Sequence, residues 1–171
     1  MGEATGSGTQ DLVDPEEDIC RLCFSAKIPI SYDSKHPNQI DSDTGLIRLE
    51  ELSWADFRKR GFSIQRRILY SLREALEMAA RRDAAKTAKG LDAAYTLAGV
   101  LIAKVERINT ISDAEGKQVF RVIPTPGQET DLAHAEIRIA DHLTKDDLLK
   151  FRVDLQAVLG KMQEANLLDQ R

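Results

Sequence analysis

From Cys20 to Tyr32 the chain alternates. Cys20, Leu22, Phe24, Ala26, Ile28, Ile30 and Tyr32 stand against Arg21, Cys23, Ser25, Lys27, Pro29 and Ser31. Period two is the pattern of a half-buried strand, so a first strand is predicted over 19–32, with Pro29 marking an edge or a break. Ile47 and Leu49 share one face of a short second strand over 45–52. Helical spacing follows. Ser53 with Asp56 three residues on predicts the start of a short helix over 54–60, and Gly61 suits its left-handed end. Ser63 then caps a longer helix. Ile64, Ile68, Leu72, Ala75, Leu76 and Ala79 recur at helical spacing, and strong helix formers continue to about Ala88.

Gly90 interrupts that helix, and Leu91, Ala94, Ala98 and Leu101 fit another one ending near Gly99. The run 100–111 reads either way; its β-branched residues favour a hairpin with Gln118 to Ile123 across the Gly116 turn. Residues 133–140 alternate again, with Ala133, Ala135, Ile137 and Ile139 inward and His134, Glu136 and Arg138 outward. Thr144 with Asp147 opens a last helix whose stripe is Leu148, Phe151, Leu155, Val158, Leu159 and Met162. Leu167 and Leu168 extend it. The expected fold is α+β: one domain over 19–168, a small mainly antiparallel sheet with two or three helices packed on one face. Residues 1–18, rich in Gly, Ser, Thr and acids, are expected to be a disordered acidic tail.

Composition fits one domain. The chain has 171 residues, 42% of them apolar, enough for a packed core without a disulfide or metal staple. A net charge of −4 excludes a globally basic nucleic-acid binder. No apolar run reaches membrane-spanning length, and the N-terminus lacks the basic and apolar regions of a secretory signal, so a cytoplasmic, membrane-free protein is expected. Charge is nevertheless segregated. Residues 1–53 carry net −7, residues 54–89 net +6 and residues 90–171 net −3. On one continuous helix, Arg66, Arg67, Arg73 and Arg81 fall within about 120°, with Tyr70 among them. Such a face suits phosphates or a stacked base. Its alternatives are a solvated surface with Glu74 and Glu77, or a seat for the chain's own acidic tail.

Four short patterns touch on chemistry. Cys20-Arg21-Leu22-Cys23 resembles the first knuckle of RING-CH zinc domains. A structural zinc needs four ligands, no second C-x-x-C follows, and a strand sends positions i and i+3 to opposite faces. Structural cysteines and no metal are therefore expected. Asp41 to Gly45 resembles the opening of a calcium loop but lacks the closing Glu, so it reads as a turn. Trp54 to Glu74 resembles a helix-turn-helix, with Asp56 and Arg60 standing where that motif wants apolar packing. His134-Ala135-Glu136 resembles the H-x-E element of zinc deaminases, whose downstream P-C-x-x-C is missing here. His134 and Glu136 remain as a pair for a small hydrolase or transferase.

These parts point away from catalysis. The expectation is a non-catalytic accessory or interaction protein with a protein partner and no cofactor. General character, not a motif, places such a chain in a bacterial multi-protein complex. The alternatives are a nucleic-acid-associated protein using Arg66 to Arg81, and an enzyme using His134 and Glu136.

Overall fold

The alternation from Ile19 to Phe24 does build a strand in the computed structural model, which describes residues 12–25, 39–91, 94–125 and 132–170. Five strands form one antiparallel sheet: β1 (Asp18–Ser25), β2 (Phe62–Arg66), β3 (Thr96–Lys104), β4 (Phe120–Pro124) and β5 (His134–Ile139). Their spatial order is β3-β1-β2-β5-β4. The rest of the expected first strand, 26–32, lies outside the described residues. The helices are α1 (Leu72–Thr87), α2 (Val105–Asn109) and α3 (Lys145–Leu159).

The α+β class and the antiparallel sheet are as the sequence implied. The helices, however, are divided between the two faces. Leu148, Leu155 and Leu159 of α3 pack with Ile19, Phe62, Ile64, Leu101, Val122 and Ile137. Ala75 and Ala79 of α1 pack with Cys20, Leu22, Phe24 and Val100 on the other side. The reason lies in β1: its residues are apolar on both faces, so a single helical layer would leave one of them wet. Small residues on α1 let that helix lie close to the strands.

The chain path corrects three further expectations. The helix read from Ser63 starts only at Leu72. Phe62 to Arg66 is a strand, Arg67–Leu69 a 3-10 turn, and Tyr70 is extended. Ser71 is the true cap: its hydroxyl accepts from the Glu74 amide, and the Glu74 carboxylate accepts from the Ser71 amide. Cross-strand pairing of Phe62 to Arg66 with β5 and β1 takes Ser63 into a strand and moves the helix start to Ser71. Next, residues 96–104 are strand and 105–109 helix. The expected hairpin does not form, because β3 and β4 lie at opposite ends of the sheet. Finally, the expected tail is part of the fold from Leu12 on. Val13 is 2% exposed, its amide donates to Val122, and the carbonyls of Pro15 and Glu17 receive the first amides of α2. Residues 1–11 lie outside the described residues.

The smaller features follow local chemistry. Residues 45–52 make isolated bridges and a 3-10 turn (Leu49–Glu51) in place of a strand. Asp41 closes a turn by accepting from the amides of Asp43 and Thr44 and from the Thr44 hydroxyl, as a turn-forming Asp does. A π-helical turn, Asp56–Arg60, ends at Gly61, after which the chain enters β2, so Trp54 to Glu74 does not form a helix-turn-helix. Phe57 from that turn stacks on Phe62 at 5.1 Å and leans on Phe120 at 5.5 Å. Leu168 is buried in the separate 3-10 turn Ala165–Asp169.

Gly61 is doubly constrained. Its φ is +78°, and a Cβ there would run into the Glu136 carboxylate. Gly90 has φ +76° with nothing near it. Gly90→Ala is therefore expected to cost about 1 kcal/mol from the backbone alone. Gly61→Ala should cost a further 1–3 kcal/mol, roughly, for the overlap. Urea unfolding of both variants checks this, and equal losses would refute it.

The α3 cap supplies a pH test. The Thr144 amide and hydroxyl, then Lys150, hold the Asp147 carboxyl down to about 2. A folded pKa below the unfolded one gives stability that is complete above the unfolded value and fades as pH falls through the folded one. Asp147→Asn should thus be less stable than wild type at neutral pH. The gap should close between about pH 4 and about pH 2. A gap that persists into acid would refute this reading.

Candidate functional site

The five residues expected to form an anion-binding helix face do not share one. Arg66 ends β2, and its Nε and Nη2 donate to the two carboxylate oxygens of Glu17, both at 2.8 Å. That bidentate pairing raises the Arg66 pKa further. Arg67 donates through Nη1 to Asp18 at 3.0 Å and through Nη2 to the carbonyls of Leu167 and Gln170. Tyr70 is buried among Cys20, Leu22 and Ala75. Only Arg73 and Arg81 stand on α1 in solvent, and Arg73 pairs with Glu77 at 3.0 Å. Acids just before and at the start of β1 thus take up the two arginines at the end of β2.

His134 and Glu136 also part company. Both lie on the outer face of β5, but each has its own partners. Glu136 is buried against Gly61 and accepts two hydrogen bonds from Arg138, at 2.9 and 2.7 Å. His134 sits between Ser63 and Thr125. Its Nδ1 lies 2.8 Å from the Thr125 hydroxyl and 3.0 Å from the Thr125 carbonyl; its Nε2 lies 2.8 Å from Ser63 Oγ. A carbonyl only accepts, so Nδ1 carries a proton, and Nε2 faces the Ser63 hydroxyl, which can donate or accept. Ser63 is a site residue that its sequence context hides, because a serine ahead of an apolar run also suits a helix cap. The alternation of Phe62, Ser63, Ile64 and Gln65 was the available signal.

Beside Ser63 the sheet forks. β1 and β2 pair only at Ile19↔Arg66 and Cys20↔Gln65, although β1 continues to Ser25 and β2 begins at Phe62. Arg21 spans the gap: its Nη1 donates to the Ser63 carbonyl, and its guanidinium lies over the Phe62 ring. A small cavity of about 30 Å³, partly open to solvent, occupies the fork, with Gln39, Gln65 and Arg82 on its walls. Burial pushes the Arg21 pKa down, and the nearby Arg82 charge adds to that.

A third surface is apolar. Ile68, Leu69 and Leu76, at the start of α1 and just before it, are 57%, 43% and 52% exposed. Ile68 lines an open pocket with Arg67, Glu16, Glu17 and Asp18.

No family model matches the chain, and neither does any curated protein or solved structure. No helix among the described residues is long and apolar enough to cross a membrane, and none of their His, Cys, Asp and Glu side chains cluster as metal ligands.

Cys20 and Cys23 face opposite sides of the sheet, in different apolar clusters. Burial pushes both thiols up to about 12. Near neutral pH neither should react with Ellman's reagent in the native protein, and both should react promptly in denaturant. Rapid labelling of the folded chain would contradict this burial.

Proposed function

We propose that the chain is a non-catalytic interaction protein that receives an apolar helix face of a partner protein on Ile68, Leu69 and Leu76. One observation carries the reading: within nine residues three large aliphatic side chains stand about half exposed, and one of them, Ile68, lines a pocket. Isolated exposed apolar residues are ordinary, but a group of them flanked by polar residues is the usual mark of a contact surface. Charge supports the choice of partner. Around Ile68 the acids Glu16, Glu17 and Asp18 are matched by Arg66, Arg67 and Lys104. A rim so neutralised offers little to a phosphate backbone and suits an apolar ligand. Nucleic-acid binding through Arg66 and Arg67 would first have to break their pairs with Glu17 and Asp18, leaving buried or half-buried charge unmet.

A photo-crosslinking residue placed at Leu76 in cells tests this, with the exposed turn residue Ala114 as control position. The expected result is one discrete protein adduct from Leu76 and none from Ala114. The identified protein should bind the purified chain saturably, and Leu76→Glu should weaken that complex at least about tenfold. Nucleic-acid adducts, self-adducts alone, or equal labelling at both positions would overturn the proposal.

A further inference from the structure

The fork between β1 and β2 has a feature that the apolar surface does not use. We infer that it is a binding site for a small oxyanion, a carboxylate or phosphate group held between Arg21 and Arg82. Two guanidinium groups reach the cavity from different elements, Arg21 from β1 and Arg82 from α1. Each is laid on an aromatic ring: Arg21 Cζ is 4.4 Å from the Phe62 centroid and Arg82 Cζ is 4.4 Å from the Phe24 centroid. Stacking occupies a guanidinium's face and leaves its edge N–H groups to donate.

The walls carry unmet polar atoms. Arg21 Nε is buried without a hydrogen-bond partner, and so are the Oε1 atoms of Gln39 and Gln65. The Gln65 side chain is only 4% exposed, so bulk water does not make good the loss. Buried polar groups without partners are rare in native proteins and call for an explanation. Charge points to what is missing. Among the described residues, no acidic side chain lines the cavity, whereas two cations do. Glu51 and Asp56, which Arg21 senses from outside, are engaged elsewhere, Glu51 by Gln39 Nε2 at 3.4 Å and Asp56 by the Ser53 hydroxyl. An oxyanion accepts from Arg21 Nε and from the Arg82 edge, and the Gln65 amide turns to donate its NH₂, an orientation that costs the side chain only a flip. Size sets the class. At about 30 Å³ the space is well below the size of ordinary ligand pockets, and one side of it is open. It takes a group of a few atoms and excludes a nucleotide.

The test titrates the full chain with inorganic phosphate and, separately, with malonate, at ionic strength held constant with sodium chloride. Calorimetry and the thermal midpoint are the readouts. Saturable binding of at least one probe is expected, with a Kd at or below about 1 mM. Phosphate alone would identify a phosphate-type ligand and malonate alone a carboxylate; either supports the site. Arg82→Gln, a change at the helix surface, should keep the fold by circular dichroism and weaken binding at least about tenfold. Gln65→Glu, which sets a carboxylate in the fork, should do the same. No saturation by either probe beyond the chloride control means a solvent-filled fork and overturns the inference. Undiminished binding by Arg82→Gln overturns it too.

Discussion

Strand β2 is five residues long, and both halves of the sheet hang on it. β3 and β1 lie on one side, β5 and β4 on the other, and β2 alone joins them. It bonds to β5 at four positions and to β1 at two. Its alternation is strict: Phe62 and Ile64 enter the α3-side core, while Ser63 and Gln65 face the other way. A slip of one residue would send Ser63 and Gln65 into that apolar core, so the register is firmly specified. Gly61 makes the entry feasible, because the chain must swing through a positive φ while the Glu136 carboxylate passes close to its Cα.

The brevity of the β1–β2 pairing shapes everything nearby. β1 is held along its full length by β3, and β2 by β5, so where the two halves meet only Ile19 and Cys20 find partners. The gap beyond is bridged by a side chain, Arg21, in place of a backbone ladder. This is why a guanidinium, a glutamine and a serine come together in the middle of the sheet, beside its apolar cores. At the other end of the same junction, Arg66 and Arg67 clamp the N-terminal arm through Glu17 and Asp18, and Arg67 also holds the C-terminal turn. Two arginines of the basic segment are thereby matched by acids of the N-terminal arm, while Arg73 and Arg81 stay exposed on α1.

Much of the fold was legible where a pattern was local. The α3 capping box, the β5 alternation, the turn at Asp41 and the breaks at Gly61 and Gly90 all rest on contacts within a few residues. The opposed cysteines followed from the geometry of a strand. The failures share a cause. Ile64, Ile68 and Leu72 fit a helical stripe, and Phe62, Ile64 and Arg66 fit a strand; the two periods overlap there, and β1 and β5 decided the matter. With that choice went the arginine face, since Arg66 and Arg67 left the helix. Ser63 changed from a cap to the partner of His134 for the same reason.

By itself, then, the sequence determined the class of fold, the start of α3 and the opposed faces of its two cysteines, because backbone dihedrals, caps and alternation act over one or two turns. Tertiary structure alone decided the strand order, the division of helices between two faces, the pairing of the arginines and the opening of the fork. Those depend on which distant segment lies alongside, and β1 is bonded to residues some 45 and 80 positions away, roughly, where no local period reaches.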